Sequence, residues 1–503
     1  MLYKYRYKLI VLALAAAALA GGCAKPAAVP RRAAEAAEAA ADSFELRRDY
    51  LAARIDSLLA DTLLAQAQLG LYIVSVEPRR DVYAQHFQQL LVPASTNKLF
   101  VTALAYRRLG ASHRFRTVVL GDSIDALGRL KGPLCLKGSG DPDLSVADLE
   151  ALGFMLKSRG LERVAGNLVI DPSAFDTTQF GPGWMWDEGP YAYNAPISAL
   201  SVNHNTFEVG ISTGPKPGDR LRVETKPKTG YLTLDNQGLT AFSGVRKSLK
   251  VNREADRDRE KVTVKGVLAP EDSPQYLFRS VGNPGIYCGW LFREALARQG
   301  IRVIGKTVVG PAPDSLEELA GVSSRPLYAI VQDMNKNSDN FTAEMLYRYL
   351  AARETPPQTG NGGANGNGPM APLLDSLGFL PGTYRVVDGS GLSRYNLCSA
   401  QQLVKVLLAL YQDPLARPEL LVALPVAGVD GTLWNRMNGG SRAARVRAKT
   451  GTMTGISSLA GFAYGRDDRC YCFAMIFNNY TAKPNAVRAI QDRILEELID
   501  VSP

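Results

Sequence analysis

The chain ends in two apolar segments, SSLAGFAYG and CYCFAMIFN, followed by an amphipathic helix, AVRAIQDRILEELID, and this ending constrains the fold most. Strands this apolar are buried on both faces and need partners. Near residues 70–85, LGLYIVSVEPRRDVYAQHF reads as a second apolar strand pair broken at a Pro-Arg-Arg turn. The closing strands and last helix are expected to pack with this first pair, so the two ends of the chain build one α/β domain. The texture changes between them. Residues 117–290 carry short strands and frequent Gly/Pro turns, as in GSGDPDL and LRVETKPKTGYLTL. Helical periodicity returns with LFREALARQG and RPLYAIVQDMNKNSDNFTAEMLYRYLAAR. The fold expectation is therefore α/β, with an antiparallel sheet flanked by helices and formed by residues 48–116 and 291–503. A β-rich module of residues 117–290 is inserted, its smaller subdomain near 212–268. PPQTGNGGANGNGP, at 356–369, reads as a surface loop.

The first 26 residues, MLYKYRYKLIVLALAAAALAGGCAKP, begin basic and run apolar from Leu9 to Ala20, too short to span a bilayer as a stable helix. Ala20-Gly21-Gly22 before Cys23 resembles a lipoprotein leader. The expectation is a signal peptide over 1–22, lipid on Cys23 and a tether over 23–47. A plain secretory cut near Ala20 is the alternative, and both export the chain. Ala24 in place of an aspartate favours the outer membrane. The net charge of +9 is modest, and no long basic run or RNA-binding signature accompanies it, so nucleic acid is not implied. Five cysteines besides Cys23 show no CxxC spacing, and there are three histidines, so a zinc site is not expected. The cysteines read as buried thiols.

Three short motifs carry possible chemistry. In ASTNKLFVTALA, Ser95 and Lys98 are three apart at a helix start, which puts them on one face. Serine is a weak nucleophile without a base. A lysine desolvated at a helix N-terminus can lose its proton and serve as one. In MNKNSDNFTAEML, Ser338 could pass a proton to a leaving group and Asn340 could bind a substrate amide. In RAKTGTMTG, Lys449 and Thr450 could hold a carboxylate, and Gly451 would let a substrate approach the backbone. Each motif alone is equally an N-cap or a turn. Decoys exist as well: Ser201-Val202-Asn203 fits the second pattern and Lys228-Thr229-Gly230 the third. Pro227 denies Lys228 a neighbouring backbone donor, so that copy reads as a lysine at a strand start.

Their order, SxxK then SxN then KTG, is that of penicillin-binding proteins and class A β-lactamases. Longer blocks sharpen the match: LVPASTNKLFVTALA, KGSGDPDL, NKNSDNFTAEML, VDGSGLSRYNLCS, LPVAGVDGTL and AKTGTMTGISSLAGF. The chain resembles peptidase family S13, the class C low-molecular-mass penicillin-binding proteins, over roughly residues 50–500. The 243 residues from Ser95 to Ser338 are too many for a class A β-lactamase and suit this family's insertion. The resemblance implies a serine D-Ala-D-Ala carboxypeptidase or endopeptidase acting on peptidoglycan stem peptides, trapped by β-lactams and needing no metal or cofactor. It implies that Ser95 is acylated, Lys98 is its base, Ser338 relays a proton and Asn340 holds the substrate amide. Lys449 and Thr450 would bind the carboxylate. The backbone N–H groups of Ser95 and Thr452 would form the oxyanion hole. Asp187, in GWMWDEGP, and Arg394, in DGSGLSR, would hold the peptide side chain. A different class of reading is a catalytically silent peptidoglycan-binding lipoprotein on the same fold.

Overall fold

The computed structural model describes residues 31–185, 187–256, 258–354, 368–439 and 442–503. The leader, Cys23 and nearly all of the 356–369 segment lie outside these residues. Helix α1 (Arg31–Leu59) leads into strands β1 (Gln68–Ser75) and β2 (Arg80–Gln85), then helix α2 (Lys98–Leu109). The two ends of the chain do meet. Strand β1 pairs antiparallel with a strand of the C-terminal segment, from Gln68 opposite Asn478 to Ser75 opposite Tyr471.

The inserted part has its own core. Its five-stranded sheet runs Thr307–Val309, Leu168–Asp171, Leu134–Lys137, Arg116–Gly121 and Glu317–Ser323. Two smaller sheets hold strands Thr206–Ser212, Arg222–Lys226 and Gln275–Ser280, and the hairpin Ser248–Asp256 with Arg259–Leu268. The module does not end at residue 290, which falls inside helix Pro284–Arg298. Strand Glu317–Ser323 pairs antiparallel with Arg116–Gly121, and Leu319 and Ala320 join the inserted core. Residues on both sides of the expected boundary therefore close one sheet. The insertion is also interrupted in mid-chain, since Phe175, Ala195, Ile197 and Ala199 pack into the core of the other domain instead. A loop of the insertion thus reaches back over the other domain.

After the insertion come α3 (Leu327–Asn337), α4 (Asn340–Ala351) and α5 (Ala400–Gln412). They are followed by β3 (Val446–Met453), β4 (Ile456–Tyr464), β5 (Cys470–Asn478) and α6 (Pro484–Val501). The main sheet has the order β3-β4-β5-β1-β2 and is antiparallel throughout. Ala460, Phe462, Cys472, Ala474 and Ile476 share a core with α2 and α5. The two-residue strand period sends their neighbours to the opposite face, where α6 packs on β4. Helix α2 is enclosed, with every residue from Lys98 to Tyr106 buried. Four of the five described cysteines are buried thiols; Cys470 is half-buried, and all five are free.

Candidate active site

The nucleophile turn precedes α2 directly. Residues Ala94–Asn97 form a 3₁₀ turn, with Ala94 in the left-handed region at φ 48°. A non-glycine residue pays for that conformation, and such local strain is typical of functional turns. The turn is pinned from several sides: Thr96 Oγ1 and Ser458 Oγ both donate to Pro93 O, and Asn97 Nδ2 donates to Asp388 O at 2.8 Å. Ser95 is thereby held half-exposed above the fully buried Lys98.

Lys98 Nζ donates to Ser95 Oγ at 2.9 Å, to Asn340 Oδ1 at 2.7 Å and to Ser390 O at 2.5 Å. A neutral amine keeps two N–H bonds, enough for Asn340 and Ser390. Its lone pair then points at the remaining neighbour, the Ser95 hydroxyl. Burial pushes the Lys98 ammonium down to about 8, against the opposing pull of Asp388, Asp339 and Glu344. The lysine is therefore poised to exchange a proton near neutral pH.

The second motif is a corner between two helices. Ser338 ends α3 in the left-handed conformation at φ 58°, and Asp339 caps α4 by accepting from the N–H groups of Phe341 and Thr342. Asn340, the first residue of α4, gives its oxygen to Lys98 and its Nδ2 to Tyr193 O at 3.1 Å. Tyr193 comes from the loop of the insertion that crosses the catalytic core.

The third motif lies inside β3, the edge strand of the main sheet. Over Val446–Ala448 that edge is covered by Pro425–Ala427, through Ala427 N–H to Val446 O and Ala448 N–H to Pro425 O. From Lys449 on, no backbone group of another segment among the described residues bonds to that edge, so an extended peptide can add there. Lys449 is fully buried, and its Nζ donates to Ser338 Oγ at 2.8 Å and Thr450 O at 2.7 Å. Burial first, and the Lys98 charge second, hold its ammonium well below the usual lysine range. Thr450 and Thr452 line the cavity beside Ser95, of about 890 Å³. Gly451 also serves a close approach within the protein, beside the substrate approach expected of it. A Cβ there would stand 2.8 Å from Pro93 O and 2.9 Å from Ser95 N, and would strike Ser458 Oγ. The glycine lets β3 press against the nucleophile turn.

Residues 51–498 match the D-Ala-D-Ala carboxypeptidase 3 (S13) family. The chain belongs to this family. It is 34% identical to a D-alanyl-D-alanine carboxypeptidase of Actinomadura sp. (strain R39), over 92% of this chain and 87% of that one. It is 28% identical to the D-alanyl-D-alanine carboxypeptidase DacB of Haemophilus influenzae, over 84% and 88%. The crystal structure of penicillin binding protein 4 (dacB) from Haemophilus influenzae superposes with a TM-score of 0.77 at 26% identity, covering 89% of this chain and 99% of that one. A second structure of that protein, complexed with a β-lactam, superposes at 0.70 with the same identity. The serine DD-peptidase/β-lactamase-like fold with its large insertion is that of the S13 family.

Within this S13 chain, one site gathers Ser95, Lys98, Ser338, Asn340, Lys449, Thr450 and Thr452. Arg394 is exposed and donates to Thr454 O at 2.9 Å, at the end of the same edge strand. Asp187 is exposed and forms no hydrogen bond or ion pair among the described residues; three positions earlier, Trp184 Nε1 donates to Asp388 Oδ2 at 2.8 Å. The decoys separate cleanly. Ser201 Oγ donates to Ser198 O and accepts from Asn205 Nδ2, a local turn bond. Lys228 is exposed in the turn after strand Arg222–Lys226, not in a strand, while Thr229 and Gly230 bond Glu294.

Sequence reasoning passed over the loop Asp388–Ser393. Asp388 is fully buried and accepts from Trp184 Nε1, Ser390 Oγ, Gly391 N, Ser393 N and Asn396 Nδ2. It shapes the loop whose Ser390 carbonyl receives Lys98. The DGSG signature was visible, but an acid in a glycine-rich turn gives no hint of burial.

Proposed function

We propose that the chain hydrolyses the terminal D-Ala-D-Ala bond of peptidoglycan stem peptides through an acyl-enzyme on Ser95. The observation that carries this is the chain of contacts Ser95–Lys98–Asn340 and Lys449–Ser338, which sets a serine between a buried amine and a second, lysine-bound hydroxyl. Ser95 Oγ attacks the carbonyl carbon and its proton passes to Lys98. Negative charge on the carbonyl oxygen is held by the N–H groups of Ser95 and Thr452. Ser338, polarised by Lys449, supplies the proton to the departing nitrogen as the C–N bond breaks, and the proton held by Lys98 passes to Ser338, which leaves Lys98 neutral again. Asn340 holds the acyl-side amide, and Lys449 and Thr450 hold the carboxylate of the leaving residue. Water, deprotonated in turn by Lys98, then cleaves the ester and restores Ser95. The same residues act on a D-Ala cross-bridge bond in an endopeptidase reaction. A β-lactam is taken up as a substrate mimic that leaves Ser95 acylated. Support for this reading comes from the names of the S13 relatives and from the β-lactam complex of a structural neighbour. Arg394, bonded to Thr454 O just past β3, and Asp187 are the proposed contacts for the peptide side chain. Digestion of purified pentapeptide and cross-linked muropeptides tests the proposal. Free D-alanine or released monomers are expected, and neither product from the wild-type protein would refute it.

The leader supports export to the periplasm with a lipid on Cys23, anchored in the outer membrane. Metabolic labelling with a fatty acid should mark the wild-type chain and not Cys23→Ala; equal labelling of both would reject the anchor.

A further inference from the structure

Ser95 opens into the cavity of about 890 Å³, walled by β3, the Gly431–Arg436 turn and the start of α6. Lys336, Arg436 and Arg488 are the cations lining it, and Asp492 is the acid. Two of the cations are already neutralised. Lys336 Nζ lies 2.6 Å from Asp430 Oδ2, and Arg436 grips Asp492 through Nε at 3.0 Å and Nη2 at 2.6 Å. Arg488 differs: Nη2 donates to Thr452 Oγ1 at 3.0 Å and Nη1 to Asn485 Oδ1 at 3.1 Å, both neutral acceptors. No carboxylate pairs with it among the described residues.

Thr450 and Thr452, two apart on β3, project to the same side. Thr450 Oγ1 meets Thr432 Oγ1 at 2.7 Å, and Thr452 Oγ1 meets Arg488. An anion lodged between the two threonines would therefore sit within reach of the Arg488 fork. The Lys449 amine donates to Ser338 and to the Thr450 carbonyl. A planar guanidinium matches a carboxylate with two parallel bonds, which an amine does not.

We propose that Arg488 is a substrate-binding residue that takes the free carboxylate of the departing D-amino acid, together with Thr450 and Thr452. This rests on the peptidase reading above. It makes α6, at the far end of the chain, the element that selects substrates with an anionic leaving residue over those with a neutral one. In such a site, losing a charge-assisted bond should lower recognition by about tenfold.

The test compares kcat/KM for an N-acylated peptide ending in D-Ala-D-Ala with that for its C-terminal amide. Wild-type, R488Q and R488K proteins are used, each checked for folding by thermal melting. The wild type should prefer the acid. R488Q should lower that preference about tenfold, mainly through KM for the acid, and R488K should recover part of it. An unchanged preference in R488Q, including an equal fall for both substrates, overturns the assignment. Should R488Q not fold, R488K decides: a preference equal to wild type overturns the assignment, because the lysine lacks the fork. A wild-type protein that cleaves neither substrate and takes up no labelled penicillin overturns the peptidase reading itself, and the assignment with it.

Discussion

Acylation of Ser95 by a labelled penicillin should accelerate as pH rises from 6 to 9 and level off beyond. The rate follows the neutral fraction of Lys98, whose ammonium is held down to about 8. Burial penalises the charged form, so the amine dominates above that pH and is lost as pH falls through it. With that value, about 1% of the lysine is neutral at pH 6, about half at pH 8 and about nine-tenths at pH 9. The second-order acylation constant should thus rise about 90-fold from pH 6 to pH 9. An ordinary exposed lysine, titrating at 10.5, would instead give a tenfold rise per pH unit up to about pH 10 with no plateau. The difference measures the net cost of the Lys98 ammonium, burial less the pull of the nearby carboxylates, about 3 kcal/mol. The assay is rapid mixing with a fluorescent penicillin across overlapping buffers, quenched and read as bound label. A rate that is flat from pH 6 to 9, or still climbing tenfold per unit at pH 10, would refute Lys98 as the desolvated base.

Other consequences follow from single contacts. Lys449→Ala removes the donor on Ser338 and should cut D-Ala-D-Ala turnover at least about 100-fold, whereas Lys228→Ala, in an exposed turn, should stay within about twofold of wild type; steady-state D-alanine release separates them. Gly451→Ala puts a methyl against Pro93 O and Ser95 N, forces β3 off the nucleophile turn and should slow penicillin acylation about 100-fold. Acylation at the wild-type rate would show that the strand does not position Ser95. Asp388→Ala strips the acceptor from four buried donors and the half-buried Trp184, and should cost about 3–5 kcal/mol in urea denaturation. A loss below about 1 kcal/mol would mean that the loop is held by other contacts.

How much of this was legible in the sequence follows from what periodicity and spacing encode. Near-continuous apolar runs marked β1, β4 and β5, and their need of partners joined the chain ends. The order of SxxK, SxN and KTG picked Ser95, Ser338 and Lys449 out from the decoys, because order reports which motifs share a domain. The upper boundary of the insertion was misplaced because strand Glu317–Ser323 pairs back across it, and the segment from Phe175 to Ala199 leaves the module in mid-chain; pairing partners leave no local trace. Gly451 was legible as a close approach, but not as an approach of protein to protein. Asp388, Ser390 and Arg488 were missed for a common reason. Each acts through a contact far along the chain, with Trp184 204 residues from Asp388, Lys98 292 residues from Ser390 and Thr452 36 residues from Arg488.

The account stands on Ser95 as the atom that is acylated. Intact-protein mass spectrometry after incubation with a penicillin, followed by peptide mapping, tests this directly. One penicilloyl adduct per chain is predicted, located on the peptide carrying Ser95 and missing from Ser95→Ala. A wild-type protein that takes up no adduct under conditions that label a control peptidase, or that carries it on another residue, would contradict the account.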